Sequence, residues 1–523
     1  MTKVFSNGND LNQKVLSGIN KLADNVASTM GPRGRNVILQ EKNKRPIISK
    51  DGVTVAKFID LVDPIENAAA QIMKQAAEET ANTAGDGTTT STVLARAMLT
   101  SSQKYLAAGM SPIEIKRGVD KVVSAIVDQL SEQSKPVSRL DDVKHVATIS
   151  ANGDRHIGEL IAQAVDLTGK DGAITIQEGR SLQTTLEVVE GFRFKGGIAA
   201  PQFITNERLG VMKYERPLFL VTDERVESVQ QLLPTLELAA REKRPLIIIA
   251  DDIFGEALAA LIVNSVRGSM KVASIKAPSY GNDRRNTLSD IAVAVGATFI
   301  SPQVGKTLAD IKLKDLGSAK TIEANKLWTT IVGGDGNSST ISDRIEMLRE
   351  EFKITEDMAE CERIQERITR LSSGVAIIHV GGSTEVEMIE AKHRIEDALE
   401  AVKSAQDEGI VEGGGVALLR AFSKLKTSKI QFDNEQQEVA FGILNQVVEA
   451  PLRQMLANAD EKADVIIEKI KRGKDGYNIA TRQYCDLLAE GVIDPAKVTR
   501  IALQNAASVA TTLMTTNFAV VES

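Results

Sequence analysis

The sequence predicts a multidomain α/β protein, and three observations carry that reading. A chain of 523 residues, 42% of them apolar, has enough material for more than one buried core. Segments toward both ends space their apolar residues as helices do; in Asp10–Met30, Val15, Ile19, Leu22 and Val26 share one face. The middle instead holds near-continuous apolar runs at Leu218–Thr222, Leu246–Ala250 and Val272–Lys276, the pattern of parallel strands buried on both faces. Helical stretches at Val226–Arg241 and Phe254–Arg267 separate those runs, so Gly191–Arg370 reads as an α/β unit of its own. Aromatics make up only 4%, so the cores must be Ala, Val, Ile and Leu packing.

Taken in order, Asp10–Met30 is followed by the break Gly31-Pro32-Arg33-Gly34-Arg35 and by strands at Asn36–Leu39 and Arg45–Ser49. Lys50-Asp51-Gly52 suits a tight hairpin turn, because Asp-Gly favours that geometry. Asp63-Pro64 opens a helix with a capping carboxylate and proline at the first position. Gly85 and Gly87 end that helix, and the run Thr88-Thr89-Thr90-Ser91-Thr92 opens the next, with Val93, Leu94, Ala97 and Met98 as its apolar face. Helices follow at Ser111–Ser131, Arg139–Ala147 and His156–Asp166, then a strand at Ala173–Glu178. The last part of the middle unit, Asp343–Leu371, reads as an exposed helical hairpin with Met347, Leu348, Phe352 and Ile364 inside. Val375–Val380 is a strand, Ser383–Glu408 a long helix, and Val439–Leu456 and Asp464–Lys471 further helices. Gly333-Gly334-Asp335-Gly336 reads as a hairpin turn. Gly305-Lys306-Thr307 ends like a phosphate-binding loop, but Ile300 stands where that loop needs its first glycine, so it reads as a surface turn.

Charge and cysteine usage narrow the function. A net charge of −7 without a long basic run argues against nucleic acid as the main partner. Two cysteines far apart, Cys361 and Cys485, give no disulfide framework and fit a reducing compartment. Four scattered histidines offer no metal spacing. No run is long enough to cross a membrane, and MTKVFSNGND has no leader-like pattern, so a soluble, cytoplasmic protein is expected.

The chemistry concentrates at Ala84–Thr92. There Asp86 and several hydroxyls sit at a helix N-terminus, where free N–H groups and the positive end of the helix dipole attract anions. One carboxylate among hydroxyls also suits magnesium completed by phosphate oxygens. The same residues also fit a Thr-rich helix cap with Asp86 stabilising the dipole, and the stretch alone leaves both readings open.

AGDGTTTSTVL (Ala84–Leu94) resembles the phosphate-binding signature of the group I chaperonins, the 60-kDa ring chaperones. Further blocks resemble that family in order along essentially the whole chain: TMGPRGRNV (Thr29–Val37), SKDGVTVA (Ser49–Ala56), ATISAN (Ala147–Asn152), EGGGVALLR (Glu412–Arg420) and IDPAKVTR (Ile493–Arg500). The residues alone suggest three consecutive domains, whereas the resemblance implies a nested arrangement. That arrangement has a helical equatorial ATPase domain from 1–132 and 408–523, a small α/β intermediate domain from 133–189 and 375–407, and an α/β apical domain at 190–374. Gly191, Gly374 and Gly409 lie near the joins as expected hinges.

The resemblance also implies the site. Thr29, Met30, Gly31 and Pro32 would line the base and phosphate side of ATP, Lys50 would contact phosphate, and Asp86 would hold Mg2+, with K+ compatible beside it. Gly87, Thr88, Thr89 and Thr90 would cradle the phosphates. Gly414 would admit the adenosine, Asn478, Ile479 and Ala480 would border the base, and Asp494 would accept from the ribose. Asp397 is expected to activate the hydrolytic water, with Asp51 as second carboxylate. A solvated helix face is the plainer account of Glu396-Asp397. Unfolded polypeptides would bind Leu233, Leu236, Leu258, Ile262 and Val263, with Ile198 and Phe203 nearby, although periodicity alone would bury these residues. ATP and a co-chaperonin lid would then release the client into a closed chamber of a homo-oligomeric ring.

The chain departs from the family pattern in several places. Gln202 replaces a groove aromatic, Asn282 is inserted in the loop Ser279–Arg285, and Glu412 adds a carboxylate beside the Gly run. Gly196 stands where relatives carry an arginine that pairs across subunits with the equivalent of Glu385. Lys462 replaces the acidic residue that, in double-ring relatives, meets the equivalent of Arg453 across the equator. The pair Lys104 and Glu435 is kept. A single heptameric ring is therefore expected. A metabolic kinase or an oligomer that has lost turnover would use the same blocks. No second substrate pocket with acid–base residues is visible for the kinase, and retention of Asp51, Asp86 and Asp397 argues against lost turnover.

Overall fold

A computed structural model describes residues 3–522 apart from 42–45, 170–172, 180, 208, 356, 373 and 426–429. Arg45, the expected start of the second strand, and the terminal Ser523 lie outside the described residues. Contacts divide the chain into two compact units, Met1–Gln163 with Glu178–Thr185 and His379–Ser523, and Ala164–Gln177 with Leu186–Ile378.

The first unit is built from both ends of the chain. Helices Gly8–Ala27, Pro64–Ala84, Thr88–Ala107 and Pro112–Gln133 share a core with Val416–Ser423, Glu435–Val447 and Ala496–Thr515. Leu22, Met73, Leu94, Met98, Leu444 and Leu503 are fully buried in it, which the helical spacing of apolar residues anticipates. Asp63 caps the second helix as expected, accepting from the N–H groups of Ile65 at 2.8 Å and Glu66 at 3.1 Å, with Pro64 opening the turn. Strand Lys3–Asn7 pairs antiparallel with Phe518–Glu522, an end-to-end contact the sequence reading did not contain.

The second unit carries most of a sheet that has ten strands among the described residues. Leu218–Thr222, Leu246–Ala250 and Val272–Lys276 run parallel, with Leu218 and Val272 both registered on Leu246. All three are wholly buried but for Lys276, as their continuous apolar character requires. Helices Val229–Glu242 and Gly255–Val266 lie on this core, the first opened by a capping box between Ser228 and Gln231.

Four local expectations change. Asp51-Gly52 is a helix start rather than a hairpin tip: Asp51 accepts from the N–H groups of Val53 and Thr54 and caps helix Gly52–Phe58. Gly333–Gly336 joins strand Trp328–Gly334 to helix Ser338–Ile354, and a Cβ at Gly336 would lie 2.3 Å from the Val293 carbonyl oxygen. In the helical hairpin Leu348 and Ile364 are buried, but Met347 and Phe352 are exposed. Gly191 and Gly374 lie within strands, where their missing side chains allow close packing; a Cβ at Gly191 would lie 2.1 Å from the Val375 side chain. Gly305, by contrast, is in a surface turn as expected, with Lys306 paired to Asp315 at 2.9 Å.

Asp290 anchors that hairpin. It is 1% exposed and accepts from Arg367 Nε at 2.7 Å, Arg367 Nη2 at 3.0 Å and Arg344 Nε at 2.9 Å. Arg367 is itself buried, so Asp290→Ala strands a guanidinium without its counter-ion. The loss should be about 3–5 kcal/mol, read as faster hydrogen exchange across 338–372. Replacing both partners with apolar residues of similar size should cost far less; equal effects would show that the pair's charge is immaterial.

Candidate nucleotide site

Every residue expected at the nucleotide lies in the first unit. The centre is the break between helices Pro64–Ala84 and Thr88–Ala107. Gly85 and Gly87 both take left-handed backbone, with φ of +76° and +91°, a conformation that suits glycine best. Gly87 occupies the cap position of the second helix and, having no side chain, caps none of its N–H groups. The hydroxyls turn backward instead: Ser91 and Thr92 each donate to the Thr88 carbonyl at 2.9 Å, and Thr88 reaches the Ala77 carbonyl at 3.5 Å. The Thr-rich cap is therefore not what forms. The cap residue itself gives the first N–H groups of the helix no side-chain acceptor, an arrangement suited to receiving anions.

Asp86 sits beside them. One carboxylate oxygen accepts from the Gly87 N–H at 2.5 Å and the other from the Ser150 hydroxyl at 2.7 Å. Burial pushes its carboxyl above the usual range, those two hydrogen bonds hold it back, and the charge of Asp51 adds to the rise. Asp51 approaches through the turn before Gly52, where a Cβ would lie 2.3 Å from Thr89 Oγ1. On the far side, Asp494 lies in strand Ile493–Pro495, opposite Val411 of Ile410–Glu412. Burial, and next the charge of Asp86, raise its carboxyl to about 7 against a hydrogen bond from the Gly414 N–H. Gly414 has a φ of +67° and faces open space.

Asp86 is half-buried and carries the charge of Asp51 on one side, while the half-buried Asp494 carries that of Asp86, a crowding of negative charge that a cation would relieve. Among the described residues no group of three or more His, Cys, Asp or Glu side chains could by itself hold a metal. A donor set of that kind fits magnesium held by Asp86 and completed by phosphate oxygens at the open helix end.

Helix Glu385–Glu408 faces the same break. Ser404 donates to the Ala84 carbonyl at 2.7 Å, and a Cβ on Gly85 would lie 2.1 Å from that of Glu400. Residues three and seven apart share a helix face, so Asp397 lies on the face that covers Ala84–Gly85. It is half-buried and Glu396 is buried, so this is not a solvated face. One turn earlier, Arg394 pairs with Asp154 at 3.2 Å and Glu390 at 2.8 Å. Lys50 donates to the Gly31 carbonyl at 3.2 Å. Its ammonium is lowered by burial, with Glu390 opposing and Arg394 adding to the fall. Sequence reasoning assigned no role to Ser150, Asp154, Glu390 or Arg394; only the block ATISAN hinted at Ser150.

The remaining expected residues divide. Thr29 and Met30 turn their side chains inward, which leaves only their backbone to meet a ligand, and Asn458 Nδ2 pins it by donating to the Met30 carbonyl at 3.0 Å. Gly31 and Pro32 form the following turn, and Arg33 reaches the Ala480 carbonyl at 3.4 Å. Asn478 holds its own turn by accepting from the Ala480 N–H at 3.1 Å, while Ile479 is buried in the core. In the second unit Leu233 and Val263 are exposed, each at 46%, and Leu258 and Ile262 are half-buried. Ile198, Phe203 and Leu236 are buried and do not stand at the surface; the sheet and its helices close over them.

Asp494 gives the site a pH signature. The folded residue keeps its proton up to about 7, whereas the unfolded one loses it near the ordinary value of 3.8. The fold therefore binds more protons than the unfolded chain across that window, and stability falls as pH rises through it. Asp494→Asn should raise the melting temperature of the nucleotide-free protein at pH 8 and do little at pH 4. An unchanged or lower melting temperature at pH 8 would show that the carboxylate ionises there at no cost.

Comparison with known proteins agrees with this architecture. The sequence profile of the TCP-1/cpn60 chaperonin family matches residues 22–523. Two crystal forms of the chaperonin gp146 from the bacteriophage EL 2 (Pseudomonas aeruginosa), both in presence of ATP-BeFx, share the fold. Form II has a TM-score of 0.68 at 21% identity and form I one of 0.63 at 22%, each covering 99% of both chains. With a family profile spanning nearly the whole chain and the fold matched from end to end, the chain belongs to the TCP-1/cpn60 chaperonin family.

Proposed function

We propose that this chaperonin is an ATP-dependent folding machine that binds magnesium–ATP at the Thr88 helix and non-native polypeptide at the helices Val229–Glu242 and Gly255–Val266. The observation that carries the reading is the helix N-terminus whose cap residue, Gly87, offers no side-chain acceptor, beside the half-buried Asp86 carboxylate. Phosphate oxygens would take the N–H groups of Thr88, Thr89 and Thr90 and the Lys50 ammonium. Magnesium, held by Asp86, would neutralise phosphate charge and orient the terminal phosphoryl group. Asp494 and the Gly414 backbone would hold the ribose, and the turns at Thr29–Pro32 and Asn478–Ala480 the base.

Asp397 lies on the helix face that covers the break, which suits it to orient or deprotonate the attacking water. Asp51 caps helix Gly52–Phe58 with both carboxylate oxygens, which fixes it beside Thr89 with acceptor capacity left to serve as the second carboxylate. We assign helix Glu385–Glu408 to the intermediate domain of the nested arrangement 1–132, 133–189, 190–374, 375–407 and 408–523. Nucleotide would then couple to domain movement through that helix. The client surface narrows to Leu233, Leu258, Ile262 and Val263, extended by the exposed Val266. A co-chaperonin lid competing for that surface completes the cycle. Cytoplasmic residence remains the reading of the cysteines; among the described residues no helix is long and apolar enough to cross a membrane.

The single-ring reading is supported by Arg453. Its guanidinium pairs within its own chain, with Glu449 at 2.7 Å and Asp464 at 2.6 Å, while Lys462 stands exposed. The cross-equator partner of double-ring relatives is thus both replaced and, for Arg453, unnecessary. Each exposed ion pair is worth only about 0–1 kcal/mol, but a ring interface repeats it in every subunit, which favours one heptameric ring. Gly196 is a different kind of departure. A Cβ there would lie 2.6 Å from the Lys276 carbonyl oxygen, so an arginine could not simply be restored, and neighbouring Lys195 stacks over Trp328.

Asp397→Ala should retain ATP binding and slow hydrolysis by roughly 10²–10⁴, the usual effect of removing a general base. Asp86→Ala should instead abolish the magnesium dependence of binding; hydrolysis by Asp397→Ala at the wild-type rate would remove its assigned role. Native mass spectrometry without nucleotide should find heptamers, and Lys462→Glu should shift them toward tetradecamers. A wild-type tetradecamer that persists on dilution at low salt would sink the single-ring reading.

A further inference from the structure

Glu412, which sits beside the Gly run where relatives have a small residue, has a defined partner. It ends strand Ile410–Glu412, registered on Ile493, one position from the Val411–Asp494 pair. Its half-buried carboxylate forms an ion pair with Nε of Arg420, on the helix Val416–Ser423 that the glycines introduce. The remaining guanidinium nitrogens of Arg420 cross to a different segment: Nη1 donates to the Gly473 carbonyl at 3.3 Å and Nη2 to the Lys474 carbonyl. Two residues later begins strand Gly476–Asn478, which leads into Ile479 and Ala480. One planar cation therefore ties the carboxylate before Gly413–Gly415 to the entry of the Asn478–Ala480 turn.

We propose that Glu412 is a positioning residue of the nucleotide site, acting through Arg420 to set the gap between the Gly414–Asp494 side and the Asn478–Ala480 turn, and so to fit that gap to an adenine base. The inference rests on the nucleotide reading above and adds a residue that touches no part of the ligand. Arg420 has a rigid fork of donors that can hold two carbonyls at a fixed spacing only while its Nε edge is anchored. The anchor is the close charge contact itself rather than an aligned hydrogen bond at Nε, and it is made where both groups are largely withdrawn from water, with side-chain exposures of 16% for Glu412 and 22% for Arg420. Burial pushes the Glu412 carboxyl up and Arg420 draws it back, with Asp486 raising and Lys135 lowering it further. Without Glu412 the guanidinium is free to turn, the two carbonyls lose their common tie, and the base-side turn shifts relative to the ribose side. The triphosphate contacts at Thr88–Thr90 lie on other elements and are not altered.

The test is isothermal titration calorimetry of the full-length protein with magnesium and, in separate runs, ATP, GTP and inorganic tripolyphosphate, alongside steady-state hydrolysis. Glu412→Ala should weaken ATP by about tenfold, the scale of losing one charge-assisted contact, with the loss falling on KM rather than kcat. Affinity for tripolyphosphate should be unchanged, and the preference for ATP over GTP should narrow. Glu412→Gln, which keeps the volume and one acceptor, should lie between wild type and Glu412→Ala, and guards against general collapse. If wild type binds ATP and both variants bind it equally well, or if they lose ATP and tripolyphosphate in equal measure, the positioning role is overturned while the nucleotide reading stands. If wild type binds neither ATP nor tripolyphosphate, the nucleotide reading falls and the role of Glu412 with it.

Discussion

Most of this molecule's chemistry depends on one backbone constraint, the double left-handed break at Gly85 and Gly87. It ends one core helix and starts another within three residues, and both helices belong to the same core. The break is held from outside. A side chain at Gly85 would strike Glu400, and one at Gly87 would lie 2.8 Å from Val498 Cγ1. Asn505 adds a hydrogen bond to Thr80 Oγ1 at 2.9 Å. Elements more than three hundred residues downstream therefore enforce the geometry that leaves the Thr88 N–H groups uncapped. The same packing turns the Asp397 face of helix Glu385–Glu408 toward the break. A loop whose local preference is weak becomes rigid because its two helices and its covering elements are committed elsewhere.

Electrostatics then bias the site toward a ligand. Asp51, Asp86 and Asp494 form a chain in which each charge raises the proton affinity of the next. Nothing in the hydrogen bonding relieves this fully: Asp86 has one hydroxyl and one N–H, Asp494 the N–H of Gly414. In the proposed site a cation between phosphate oxygens and Asp86 would relieve the conflict, and its binding would then stabilise the protein. Lys50 faces the opposite strain, since burial and Arg394 both disfavour its charge. Under the proposed function an incoming polyphosphate would favour the ionised form of that lysine.

What was legible in the sequence, and what was not, follows physical range. The Asp63-Pro64 start, the glycine stop and the buried parallel strands are set by interactions a few residues long, and the structure reproduces them. Asp51-Gly52 was misjudged because two local devices compete for the same dipeptide, and the capping bonds to Val53 and Thr54 prevail over a turn. Met347 and Phe352 have helical spacing but face outward, because which side of a hairpin meets the core is decided by the helix Gly281–Val295 that it packs on and that carries Asp290. The pairing of Lys3–Asn7 with Phe518–Glu522 joins opposite ends of the chain, and neither strand carries a signal of its partner. At the site, Asp86 and the Thr run were visible as chemistry. Ser150, Arg394 and Glu390 converge on it only through tertiary packing. Glu412 was visible as an oddity, and its reason appears only with Arg420 beside it.

The central claim is that the Thr88 helix end and Asp86 form the phosphate–magnesium site of a folding ATPase. A cryo-electron microscopy map of the wild-type protein with magnesium and a non-hydrolysable ATP analogue tests it most directly. The account predicts triphosphate density against the N–H groups of Thr88–Thr90, a metal peak at the Asp86 carboxylate and ribose density at Asp494. Nucleotide bound elsewhere, or phosphates seated on this helix end with the metal away from Asp86, would contradict it.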